Sequence, residues 1–293
     1  MTEGPGQVGL RRVLAPNPSP MTGRGTNTYL VGGPDVVAVD PGPDDDAHLG
    51  RVLRAANGAI RYVLVTHSHR DHAEGARRLA DRSGALLLGP APSGPPEHDS
   101  PGYAPDALLA GGDVVAVPGW RLSALDTPGH CAQHLCFVLE PTGRDLSGGV
   151  AGDGSARRVL LSGDHLLGGT STVVAAPGGD MAAYLASLEA VRRLDPPVDL
   201  VAPGHGELVE DVVAMLDSYV ARRLERESEL VAALELSGAA SPEELVALVY
   251  PALSRGLAGA ARLQVWAHLR KLHDEGRAST TDPDDPSSRW TPV

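Results

Sequence analysis

At 293 residues the chain is too long for a minimal single domain and short for three, so one large domain, alone or with a small companion, is expected. Hydrophobic residues make up 42% of it, enough for a sizeable core and against wholesale disorder. Its 25 basic and 37 acidic residues leave a net charge of -12, which argues against a protein whose main task is to hold bare nucleic acid by its phosphates.

The first half alternates short apolar runs with turn signals. Thr28–Val31, a Gly-Gly-Pro turn and Val36–Asp40 read as a hairpin. Helical spacing covers Ala47–Asn57, a buried strand Tyr62–Val65, a helix Ala73–Ser83 closed by Gly84, and a strand Ala85–Leu88. Strand and helix alternate as in an α/β layered domain. Gly89–Tyr103, rich in Pro and Gly, reads as an irregular loop. Strands follow at Val114–Val117, Arg121–Asp126, His134–Leu139 and Val159–Ser162, and the Gly-rich Pro141–Arg158 reads as an inserted mobile hairpin.

From Asp180 the texture is helical. Met181–Leu194 carries Leu185, Leu188, Val191 and Leu194 on one face, and a short strand Asp199–Ala202 leads to Pro203-Gly204-His205-Gly206. A long helix spans Val209–Leu236. Ser241-Pro242-Glu243-Glu244 is a helix start, with a cap, Pro at the first position and acid in the first turn. Leu257–Glu275 is a helix ended by Gly276, and Arg277–Thr281 with Arg289–Val293 forms a terminal hairpin. The domains expected are 1–224, catalytic, and 225–293, a winged-helix-like module whose small core is Leu245, Leu248, Val249, Leu263, Trp266 and Leu269. From Ser241 to Val293 there are seven acids and six bases, a balance that does not suit a wing gripping duplex DNA, so the module is expected to wall a substrate groove or form a homodimer contact.

Two cysteines, Cys131 and Cys136, are too few for a disulfide framework. No run reaches the ~18 apolar residues of a membrane span, and the N-terminus has no apolar segment of the secretory kind. A soluble, cytoplasmic protein without a membrane partner is the expectation.

The decisive segment is Thr66-His67-Ser68-His69-Arg70-Asp71-His72, between an apolar strand and a helix. Three imidazoles and a carboxylate at a strand end serve no core, and burying them unpaired is costly. They are ligands that zinc prefers outside thiolate sites. Gly129-His130, Gly163-Asp164-His165 and Gly204-His205 each follow an apolar strand through a tight turn, and in layered α/β folds such loops gather on one sheet edge. Each is weak alone; together, behind the His-rich loop, they form a strong signal.

His-x-His-x-Asp-His followed by Gly-His, Gly-Asp and Gly-His resembles the metallo-β-lactamase superfamily. The resemblance implies an αββα sandwich with a dinuclear metal site along one edge. Carried over by motif, His67, His69 and His130 would hold one metal, Asp71, His72 and His205 the other, and Asp164 would bridge them. Asn17-Pro18-Ser19-Pro20-Met21-Thr22, Gly25-Thr26-Asn27-Thr28-Tyr29-Leu30-Val31, Asp71-His72-Ala73-Glu74-Gly75-Ala76 and Gly163-Asp164-His165-Leu166-Leu167-Gly168 are similar to the lactamase-beta-2-like subfamily, whose members carry a C-terminal winged-helix-like module. Animal members are described as single-strand endoribonucleases and relatives in polyketide pathways as thioesterases. The Pro141–Arg158 insertion is longer than that pattern expects, and Ser68 is not a ligand position.

These readings imply a hydrolase with two zinc ions, or manganese or iron in their place, about 3.5–4 Å apart and sharing a hydroxide as nucleophile. Asp71 would orient that nucleophile; His165, next to Asp164, is a further catalytic candidate, facing substrate or lying behind the ligands. The charge and the 3% aromatic content favour an ester or thioester of a small acyl group, while the family resemblance favours single-stranded RNA. A non-enzymatic metal-binding protein is the remaining alternative.

Overall fold

The Val- and Leu-rich runs of the first half pair into two sheets. A computed structural model of the chain describes residues 9–57, 59–92, 98–142, 157–253 and 255–293. It comprises two compact units: Met1–Thr127, Gln133–Ser171 and Arg193–Val212 form one, and Pro128–Ala132, Thr172–Arg192 and Val213–Val293 the other.

In the first unit, β1 (Leu10–Leu14), β2 (Asn27–Gly32), β3 (Val36–Val39), β4 (Ile60–Leu64), β5 (Leu86–Gly89) and β6 (Ala107–Leu108) lie side by side in that order. β1 to β3 pair antiparallel and β3 to β6 parallel. The second sheet has the order β11-β10-β9-β8-β7, from β7 (Val114–Val117), β8 (Trp120–Asp126), β9 (Leu135–Pro141), β10 (Val159–Gly163) and β11 (Leu200–Pro203).

The period-2 geometry of a strand sorts the side chains between two cores. Tyr29, Val31, Val37 and Val39 join Leu122, Phe137, Leu161 and Ala202 in the core between the sheets. Leu30, Val36 and Ala38 turn the other way, onto Leu49 and Val52 of α1 (Asp46–Ala55) and Leu79 of α3 (Ala76–Ser83). β2 and β3 are buried on both faces, which is why they read as continuous apolar runs.

The helix boundaries and the edge strands differ from those expected. The helix expected over Ala73–Ser83 begins earlier and is broken: α2 (Arg70–Ala73) ends at Glu74, and α3 starts after Gly75. The cause is a backbone clasp, because Gly75 N donates to Gly42 O at 2.9 Å and Gly42 N to His72 O at 3.1 Å. A Cβ on Gly75 would lie 2.8 Å from Pro43 O, so only glycine allows this approach. β1 was not expected, since Arg11-Arg12 interrupts its apolar pattern; it is an edge strand, and Arg11 reaches back to Gly32 O at 3.1 Å. β6 is a two-residue edge strand after the Pro-rich stretch. Of the insertion expected over Pro141–Arg158, residues 143–156 lie outside the described residues.

The second unit holds α4 (Met181–Arg192), α5 (Val212–Ser237), α6 (Pro242–Val249), a 3-10 turn (Arg255–Leu257), α7 (Ala258–Asp274) and a hairpin of β12 (Ala278–Ser279) and β13 (Thr291–Pro292). Ser241 and Glu244 form a full capping box at the start of α6. The buried face of α4 is Met181, Tyr184, Leu188 and Val191, one step round from the face expected, with Leu185 part-exposed. The C-terminal core is Leu245, Val265, Trp266, Leu269, Leu272 and Trp290; Leu248, expected inside, is exposed at 56%, and Val249 and Leu263 are half-buried. Lys271, the only lysine of the chain, sits 2.9 Å from the buried carboxylate of Glu227. Among the described residues, no helix is long and apolar enough to cross a membrane.

Candidate metal centre

The strand β4 runs out at Leu64 and delivers Thr66, His67 and His69 onto the loop before α2. Asp71 and His72 occupy the first turn of that helix. β10 ends at Gly163, whose φ of +48° turns the chain into Asp164. β11 ends at Pro203 and presents His205 two residues on. Strand ends from both sheets thus place these side chains on one edge.

Asp71, His72, Asp164 and His205 bring one ligand atom each within 4.8 Å of one another. His72 Nε2 lies 3.2 Å from Asp164 Oδ1 and 3.7 Å from Asp71 Oδ2; His205 Nε2 lies 3.1 Å from Asp71 Oδ2 and 3.3 Å from Asp164 Oδ1. The two Nε2 atoms are 3.2 Å apart. His67, His69 and His130 form a second such group, again within 4.8 Å, and His67 Nε2 is 3.0 Å from His69 Nδ1. The structure therefore brings all seven residues singled out as ligands into two clusters among the described residues.

The partners of the opposite ring nitrogens set the tautomers. His72 Nδ1 donates to Asp40 Oδ2 at 2.9 Å, His205 Nδ1 to Gly25 O at 3.2 Å, and His130 Nδ1 to Val173 O at 2.7 Å. Each leaves Nε2 as the nitrogen able to ligate. In the first cluster, two imidazole nitrogens and two carboxylates then converge as acceptors with no donor among them. Such a set is costly to bury unless a cation sits within it. Burial would lower the pKa of His72 and His205, but Asp164 leads the surrounding carboxylates in holding both above the ordinary histidine range. Asp71 is opposed by burial, yet His72 and His205 hold it below the usual carboxylate range. The residues fit a divalent cation, whose binding competes with protons for the same ligand atoms.

Asp40 is a functional residue that the sequence reading placed only at a strand end. It is buried, adopts φ +52°, and spends both oxygens inside the site. Oδ1 accepts from Thr66 N at 2.8 Å, and Oδ2 accepts from Thr66 Oγ at 2.9 Å and from His72. Thr66 Oγ in turn accepts from His67 Nδ1 at 3.0 Å, so one carboxylate steadies a ring in each cluster. An acid closing an apolar strand beside a His-rich loop was the available signal. His134 is buried, with Nδ1 2.8 Å from Thr127 Oγ and Nε2 accepting from Asp164 N at 3.2 Å; it holds the Asp164 loop. His165, the other catalytic candidate, lies fully buried with its ring 6.3 Å from that of His134.

Known proteins resemble this chain. The Metallo-beta-lactamase superfamily matches residues 21–205, and the Beta-lactamase associated winged helix domain matches residues 241–290. A Beta-lactamase-like protein 2 homolog of Caenorhabditis elegans is 30% identical over 91% of this chain and 85% of its own. An Atrochrysone carboxyl ACP thioesterase of Aspergillus chevalieri is 33% identical over 77% of this chain and 66% of its own. A crystal structure of a metallo-beta-lactamase family protein from Thermus thermophilus superimposes with a TM-score of 0.74 at 24% identity, covering 97% of this chain and 99% of that one, and so shares the fold.

Proposed function

The chain belongs to the metallo-beta-lactamase superfamily of hydrolases, and from that premise we propose that it cleaves an ester or thioester of a small acyl substrate at a two-metal centre. The observation that carries the two-metal reading is the convergence of acceptors in two adjacent clusters, with Nδ1 of His72, His205 and His130 already engaged elsewhere. The thioester reading is supported by the 33% identity to a relative named as an ACP thioesterase.

His67, His69 and His130 would hold one ion, and Asp71, His72 and His205 the other, with Asp164 between. Zinc suits this nitrogen and oxygen set, and when bound it supplies an acidified water and polarises the scissile carbonyl. The protein's own contribution is placement. Asp40 fixes His72 and, through Thr66, His67. His134 and its Thr127 bond hold the backbone of Asp164. Asp71 has 30% of its side chain exposed, against 12% for Asp164 and none for His72, so it is the acid on the solvent side, able to accept a hydrogen bond from the attacking water and hold its proton. His165, fully buried and next to Asp164 in the chain, would act from the interior rather than by touching substrate.

Zinc-loaded protein should be tested on a panel of acyl thioesters, matched oxygen esters and a short single-stranded RNA. Turnover on thioesters or esters that exceeds RNA cleavage is expected. RNA cleavage with no acyl turnover would replace this substrate class with a phosphodiester.

A further inference from the structure

The segment Asn17–Asn27 is set apart in the sequence by its density of Asn, Ser, Thr, Pro and Gly, and none of its side chains is a ligand in either cluster. Its hydrogen bonds converge on one place. Asn27 N donates to Gly204 O at 2.8 Å, and Asn27 Nδ2 donates to Pro203 O and to Gly206 O, each at 2.9 Å. Three carbonyls on the two sides of His205 thus accept from a single residue, itself 1% exposed. Tyr29 Oη adds a further bond to Pro203 O at 2.9 Å.

The same segment sets the ring of His205. Gly25 O is the acceptor of His205 Nδ1, and it can face that ring only because Gly25 takes φ +132°. A Cβ there would lie 2.0 Å from Ala15 O, which closes the position to other residues. Asn17 locks the turn from behind: its Oδ1 accepts from Thr26 N and its Nδ2 donates to Thr26 Oγ, both at 2.9 Å. Thr26 also pairs with His205 as an isolated antiparallel bridge.

We infer that Asn27 is a positioning residue for the metal ligand His205, and that the Asn17–Asn27 segment is a clamp that presents His205 Nε2 to the cluster of Asp71, His72 and Asp164. The inference rests on the two-metal reading above. A histidine on a short glycine-flanked turn has little to hold it, and Gly204 and Gly206 on either side carry no side chains. The clamp supplies from a distant part of the chain the rigidity that the turn lacks. Loss of partners that orient a ligating histidine ordinarily weakens metal binding by about 10- to 100-fold.

The test is zinc titration against a competing chelator, with the absorption spectrum of the cobalt-substituted protein, on wild type, Asn27→Ala and Leu122→Ala. Leu122 lies in the core between the sheets and loses stability without touching the site. Asn27→Ala is expected to weaken one of the two zinc ions by about 10- to 100-fold while the other binds as in wild type, to alter the cobalt spectrum, and to lower kcat more than it changes KM. Leu122→Ala should lower thermal stability and leave both affinities and the spectrum unchanged. If Asn27→Ala binds both ions with wild-type affinity and spectrum, the positioning role is wrong. Should it fail to fold, Asn17→Ala, at a part-exposed position, is expected to weaken the same single ion by several-fold, and wild-type binding there overturns the clamp. Wild-type protein that takes up fewer than two ions overturns the two-metal reading, and the inference with it; that outcome is read from the wild-type arm alone.

Discussion

Asp40 Oδ2 stands 2.9 Å from His72 Nδ1, and the same carboxylate holds Thr66 through its backbone N–H and its hydroxyl. One buried acid therefore binds together the end of β3, the start of the His-rich loop and the first turn of α2. It also fixes which nitrogen of His72 faces the ligand cluster.

Replacing Asp40 with Asn keeps the shape and tolerates the left-handed backbone, but the amide cannot accept from all three donors at once. Zinc affinity should fall by about 10- to 100-fold with the fold intact by circular dichroism. Asp40→Ala should in addition lose stability, roughly 1–3 kcal/mol for each buried donor left without a partner, read from urea denaturation.

Asp164→Ala removes the carboxylate that lies within 3.3 Å of both His72 and His205. The strands stay untouched, so the fold should persist. Elemental analysis should show one ion lost, and turnover should drop by at least the roughly 10- to 100-fold seen when outer partners alone are removed. Two ions and wild-type turnover would show that Asp164 does not bridge.

His48 gives a pH signature away from the metal cluster. Burial, helped by the Arg51 guanidinium at 3.3 Å from Nδ1, pulls its pKa down to about 4, against the opposing bonds to Pro41 O and the charge of Asp45. The folded ring stays neutral where the unfolded one takes up a proton. Its contribution is thus full above the ordinary histidine pKa near 6.5 and declines as pH falls toward 4, by on the order of 3 kcal/mol in all. Imidazole NMR should find the His48 ring neutral at pH 5.5. A midpoint near 6.5 would contradict its burial.

The C-terminal module is proposed not to grip duplex DNA, since its bases do not outnumber its acids. Fluorescence polarisation of the full chain with a labelled duplex should show no binding that weakens steeply with salt. A steep salt dependence would reverse that reading.

Much of this was legible in the sequence because the signals were redundant. Four apolar strands each ended in a turn carrying His or Asp, and the spacing in His67-x-His69-x-Asp71-His72 is too dense for a core. The capping box at Ser241 and the stop at Gly276 were local chemistry and read correctly. What stayed hidden was non-local. The break at Gly75 depends on Gly42, some thirty residues away in the chain, and the support of His205 depends on Gly25 and Asn27. β1 was masked because its arginines satisfy carbonyls across the edge rather than facing water alone. Leu248 fits the helical period of Leu245, but α6 buries only Pro242 and Leu245, and Leu248 stays exposed.

Zinc titration of chelator-treated protein, followed by acyl-thioester hydrolysis, tests most directly whether this hydrolase works with two metal ions. Activity should be absent without metal, rise with added zinc and saturate at two equivalents per chain. Full hydrolysis in excess chelator, with no transition metal detected by elemental analysis, would contradict it.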